Sequence, residues 1–96
     1  MMFIALALAA SIPNTTGPAM SSWANCMTAY AKPRLRNEST VRLVDGGFAA
    51  CQIQEITAHK AWDHDMGPNI FVGIKYRVRG IMLRRIDEAK RMRGIQ

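Results

Sequence analysis

Several things are scarce in this 96-residue sequence, and each scarcity excludes something. There are two cysteines and no CxxC, so neither a thioredoxin-like redox pair nor a zinc knuckle is indicated. No apolar run approaches the roughly 18 residues that a membrane-spanning helix requires. No GxSxG is present, and Ser21, Ser22 and Ser39 stand where helix caps are expected, so a serine nucleophile has no support. Aromatic residues make up only 7%, and no internal repeat or low-complexity tract occurs. The length allows one domain and not two.

Acidic residues are scarce where basic ones are dense. Residues 1–74 hold five cations and five carboxylates. Residues 75–96 hold Lys75, Arg77, Arg79, Arg84, Arg85, Lys90, Arg91 and Arg93 against Asp87 and Glu88, so the whole net charge of +6 belongs to this segment. Such asymmetry points to an anionic partner. Hydrophobic residues reach 49%, which excludes a disordered polar tail.

The first ten residues, MMFIALALAA, are apolar and uncharged and are followed by Ser11-Ile12-Pro13. They resemble the core and end of a secretory signal, with Ala7-Leu8-Ala9 fitting the small-x-small cleavage rule. No Lys or Arg precedes them and ten residues is short for a whole signal, which leaves room for a start upstream of Met1; the plain alternative is a short buried helix or a frayed end. Residues 11–20 read as a linker, broken by Pro13, Gly17 and Pro18, and 21–96 as one small domain.

An even cysteine count behind an export signal predicts one disulfide, Cys26–Cys51, and a periplasmic or secreted address. The midpoint between the cysteines falls at Asn37-Glu38-Ser39-Thr40, which is rich in turn and N-cap residues. Two antiparallel helices joined there would bring the sulfurs level. The alternative is a pair of free thiols in a cytosolic structural protein without export.

Three helices are expected, so the fold class is all-α: a disulfide-linked antiparallel hairpin with a third, basic amphipathic helix at the C-terminus. The first spans about 22–36, capped by Ser21 or Ser22, with Trp23, Cys26, Met27 and Tyr30 as its apolar stripe. The second spans about 39–62 on Val41, Val44, Phe48, Cys51, Ala58 and Trp62. Gly46 and Gly47 weaken that helix, and they allow close approach of Tyr30, which lies opposite in the hairpin register. A rival reading of 41–48 is a β-hairpin turning at Asp45-Gly46. Residues 63–69 form a break.

The third helix spans about 69–93. Phe71, Ile74, Val78, Ile81, Met82, Ile86, Ala89 and Met92 fall within a sector of about 140°. Arg77, Arg79, Arg84, Asp87, Lys90 and Arg91 lie opposite, while Arg85 falls inside the apolar sector and snorkels outward. Residues 74–79 also alternate as a strand would.

Trp23-Ala24-Asn25-Cys26, Ala29-Tyr30, the run Asp45-Gly46-Gly47-Phe48-Ala49-Ala50-Cys51 and Glu55, followed by a basic helix, resemble a loose group of small secreted helical proteins of alphaproteobacteria. These carry one cysteine in each of two consecutive helices. The likeness covers residues 20–92 and implies the fold and the export, with no activity to carry over.

The strongest functional feature is the cationic face of the last helix. Lys75, Arg77, Arg84, Lys90 and Arg91 would contact an anionic membrane surface or an acidic protein. The plain alternative is that the apolar side packs on the other helices and leaves solvated arginines. A periplasmic address removes nucleic acid as the usual target. Glu55, His59 and Asp63 recur every four residues and could hold zinc or copper on one helix face. The plain alternative there is an exposed polar edge. A cysteine nucleophile with His59 would need a free thiolate, which a structural bridge removes. The expectation is therefore a non-enzymatic envelope protein that needs no cofactor. Met20, Met27, Met66, Met82 and Met92 are read as core filler.

Overall fold

A computed structural model describes residues 15–95. The leader read at 1–10, and linker residues 11–14 with it, lie outside these described residues. Within them the chain is all-α: α1 (Thr16–Ala31), a 3-10 turn (Lys32–Arg34), α2 (Thr40–Ala50), α3 (Gln52–Met66) and α4 (Phe71–Met92). The β-hairpin alternative is overturned, because Asp45-Gly46-Gly47 lies in the middle of α2. The alternating stretch 74–79 lies wholly inside α4.

The first helix starts six residues earlier than its periodicity indicates, so residues 16–20, read as linker, are helical. Pro18 falls in the first turn, where its missing N–H deprives the helix of nothing. Ser21 and Ser22 are exposed positions inside α1 and cap nothing. The cap comes from the far end of α3. Asp65 Oδ2 accepts from the Thr16 backbone N–H at 3.1 Å and from the Thr16 hydroxyl at 2.6 Å. A carboxylate at a helix N-terminus also opposes the positive end of the macrodipole. Ala19, Trp23, Met27 and Ala31, spaced by four, then form the buried row, with Cys26 and Tyr30 on its flank.

These contacts hold the Asp65 carboxyl down to about 2, chiefly through the Thr16 hydroxyl and then through His64. The folded value lies below the ordinary 3.8, so the stabilisation is complete above that value and is lost as pH falls towards 2. Asp65→Asn is expected to lower the melting temperature at neutral pH and to flatten its decline between roughly pH 4 and pH 2. Thermal denaturation across that range checks both effects.

Pro33 ends α1 in the 3-10 turn, and Leu35 folds inward. Ser39 caps α2 by accepting the Arg42 N–H at 3.2 Å, in line with its turn-and-cap signature. The single helix expected over 39–62 is in fact two. Cys51 leaves helical geometry (φ −106°, ψ 31°), yet its N–H still reaches Gly47 O at 2.9 Å and its own carbonyl receives Glu55 N at 3.0 Å. The axis therefore bends at Cys51, with these two backbone bonds still spanning the joint. The bend lets α1 lie along both α2 and α3, and the Cys26–Cys51 disulfide fastens the joint to α1 with the Cα atoms 6.0 Å apart. Level placement of the sulfurs, expected from an antiparallel hairpin, is what the fold shows.

The glycine expectation also holds. A Cβ on Gly46 would sit 2.8 Å from Cζ of Tyr30, so the absent side chain makes room for the hydroxyl end of that ring against α2. Arg34 covers the same ring, its guanidinium carbon 4.1 Å from the centroid.

The break after α3 is shorter than 63–69, because α3 runs on to Met66. Gly67, at φ 91°, ends it by donating to Asp63 O at 3.0 Å. α4 then packs mainly on α2 and only lightly on α3. The core is Trp23, Met27, Leu43, Val44 and Cys51, joined by Phe71, Met82 and Ile86 of α4. Val41, placed in the second stripe, is half exposed, and Leu43 takes the inward position. Met27 and Met82 fill the core and Met20 packs against it, but Met66 and Met92 are exposed.

Candidate anionic-surface interface

α4 turns Phe71, Met82 and Ile86 into the core, and this fixes which of its cations face water. Arg77, Arg84 and Arg91 follow at intervals of seven residues and are all exposed. That spacing puts them on one outward ridge, each about 10.5 Å beyond the last and drifting by only about 20° per step. Arg91 lies 3.7 Å from Glu88 Oε1, both side chains exposed. Such a pair contributes little and is easily surrendered to another anion. Neither Arg77 nor Arg84 forms an ion pair with any described carboxylate. Ile81, 40% exposed, and Met92, 81% exposed, border the ridge although the periodicity places both in the apolar sector.

The two lysines of the expected contact set are used elsewhere. Lys90 is a correction: it is 8% exposed, and its ammonium donates to Glu38 O at 2.6 Å. The loop before α2 leaves that carbonyl without a helical partner, and the lysine stem crosses the core edge to reach it. Lys75 lies between helices, 2.7 Å from Glu55 Oε2 and 5.4 Å above the Phe48 ring. Arg79 similarly reaches Asp45 Oδ1 at 3.2 Å. These two pairs bridge a groove of about 550 Å³ between α2, α3 and α4, in which the His59 and Phe71 rings stack 4.4 Å apart. Arg85, which the periodicity places within the apolar sector, is exposed as snorkelling predicts.

The metal set does not assemble. Glu55 is turned to Lys75, leaving His59 Nε2 with Asp63 Oδ2 at 3.4 Å. No group of three or more His, Cys, Asp or Glu side chains suited to a metal ion occurs among the described residues. Asp65, an N-cap residue type by sequence, had no signal for capping α1 from the end of α3, because its partner Thr16 lies 49 residues away. No described helix is long and apolar enough to cross a membrane. No family model, curated protein or solved structure matches this chain.

Proposed function

We propose that this is a non-enzymatic protein of the cell envelope that acts by contact, with α4 presenting its outward arginines to an anionic surface. The observation that carries the reading is the ridge of Arg77, Arg84 and Arg91, the first two of them without an ion pair to any described carboxylate. Arginine suits the task because its planar fork matches phosphate and carboxylate oxygens. The bridge between α1 and the α2–α3 joint favours an oxidising compartment, where such bonds persist. The likeness to small secreted helical proteins points the same way.

Each cation at an anionic bilayer contributes about 1 kcal/mol. The double substitution Arg77→Gln/Arg84→Gln is therefore expected to weaken binding to phosphatidylglycerol vesicles by roughly 30-fold at low salt. Raising ionic strength should weaken the parent protein progressively as the Debye length shortens. Vesicle co-sedimentation over a salt series measures both. Equal binding to neutral phosphatidylcholine vesicles, or no binding to either, would remove the proposal.

A further inference from the structure

A second cationic feature lies away from the ridge, where α4 meets the end of α1 and the following turn. A groove of about 300 Å³ there has Leu35, Met82 and Ile86 in its lining, all of them core residues. Lys32, Arg85 and Arg93 line it as well, and no described carboxylate does. None of the three cations forms an ion pair with a described carboxylate. An adjoining groove shares Lys32, Leu35 and Arg93 and adds Arg36, again with no acidic side chain among the described residues that line it.

Three like charges around one apolar trough repel one another, and the arrangement is relieved by an anion. The apolar lining asks for a hydrocarbon at the same place. The volume lies at the lower end of small-molecule sites, which suits one acyl chain rather than two. We infer that the groove between α1 and α4 binds a single-chain anionic amphiphile of the fatty-acid class, its chain along Leu35, Met82 and Ile86 and its carboxylate between Arg85, Arg93 and Lys32. The inference does not depend on the outward ridge, which is on another face of α4.

Calorimetry with dodecanoate below its micelle concentration tests it, using the full chain. One molecule should bind per protein, and dodecanol or dodecyltrimethylammonium at least ten times more weakly. Arg85→Gln/Arg93→Gln replaces exposed residues and should lose roughly tenfold or more while keeping the parent's circular dichroism. Arg77→Gln/Arg84→Gln should bind dodecanoate as the parent does, whatever it does on vesicles. Equal affinity for dodecanol overturns the headgroup, and undiminished binding by Arg85→Gln/Arg93→Gln overturns the site. Inorganic phosphate binding as tightly as dodecanoate overturns the role of the chain. Dodecyl phosphate binding where dodecanoate fails overturns the carboxylate.

Discussion

Replacing Trp23 by alanine is expected to destabilise the fold by about 3–5 kcal/mol, the usual range for deleting a buried indole. Trp23 is 1% exposed and sits where three helices meet. Its ring lies 5.8 Å from that of Phe48 on α2 and 5.5 Å from that of Phe71 on α4, measured between centroids. Its Nε1 is buried without a hydrogen-bond partner among the described groups, which costs about 1–3 kcal/mol on its own. Trp23→Phe keeps an aromatic ring and removes that donor, so it should cost much less than alanine. Urea denaturation followed by far-UV circular dichroism separates the two. A loss below about 1 kcal/mol for alanine, or equal losses for both variants, would contradict this account of the core.

The parts of this fold that were legible in the sequence are those set by neighbours three, four or seven residues away. Trp23 and Met27, Val44 and Cys51, and Phe71, Met82 and Ile86 fall on apolar stripes and are buried as the periodicity requires. The closeness of Tyr30 to Gly46 follows from the same hairpin register that pairs the cysteines. What escaped was set by partners distant in sequence. The start of α1 depends on Asp65, and no local pattern around Thr16 announces a cap supplied from α3. Lys90 belongs to the polar side of its helix by angle alone. It turns inward because the carbonyl of Glu38, 52 residues earlier, needs a donor there. The bend at Cys51 has neither proline nor glycine at the joint, so helix propensity passes straight through it.

The same distinction applies to the candidate interface. Arg77, Arg84 and Arg91 could be assigned outward from spacing, since the heptad step keeps them together. Lys75 could not be removed from that set without knowing that Glu55 stands 2.7 Å away across a helix boundary. The groove beside Arg85 and Arg93 was invisible for a further reason. It is made jointly by α4 and the turn after α1, and only the fold brings Lys32 to it.

Removing the bridge, by Cys26→Ala/Cys51→Ala, should lower stability by about 3 kcal/mol in the chain-entropy model for a loop of this length. For a domain this small each kcal/mol moves the melting temperature by roughly 4–8 °C, so a fall of about 12–24 °C is expected. Two features argue for the upper part of that range. Cys51 is fully buried, so the variant also gives up packed sulfur volume. The bridge also anchors a joint whose geometry no local residue enforces, so α2 and α3 lose the tie that holds both against α1. Adding a reductant to the parent protein should reproduce most of the fall, whereas the alanine variant should ignore it. Thermal scans at one heating rate, with and without reductant, make the comparison. A fall under about 5 °C would mean that the helices hold one another without the sulfurs. The chain would then keep its shape in a reducing compartment as readily as in an oxidising one, and the proposed address would lose its main physical support.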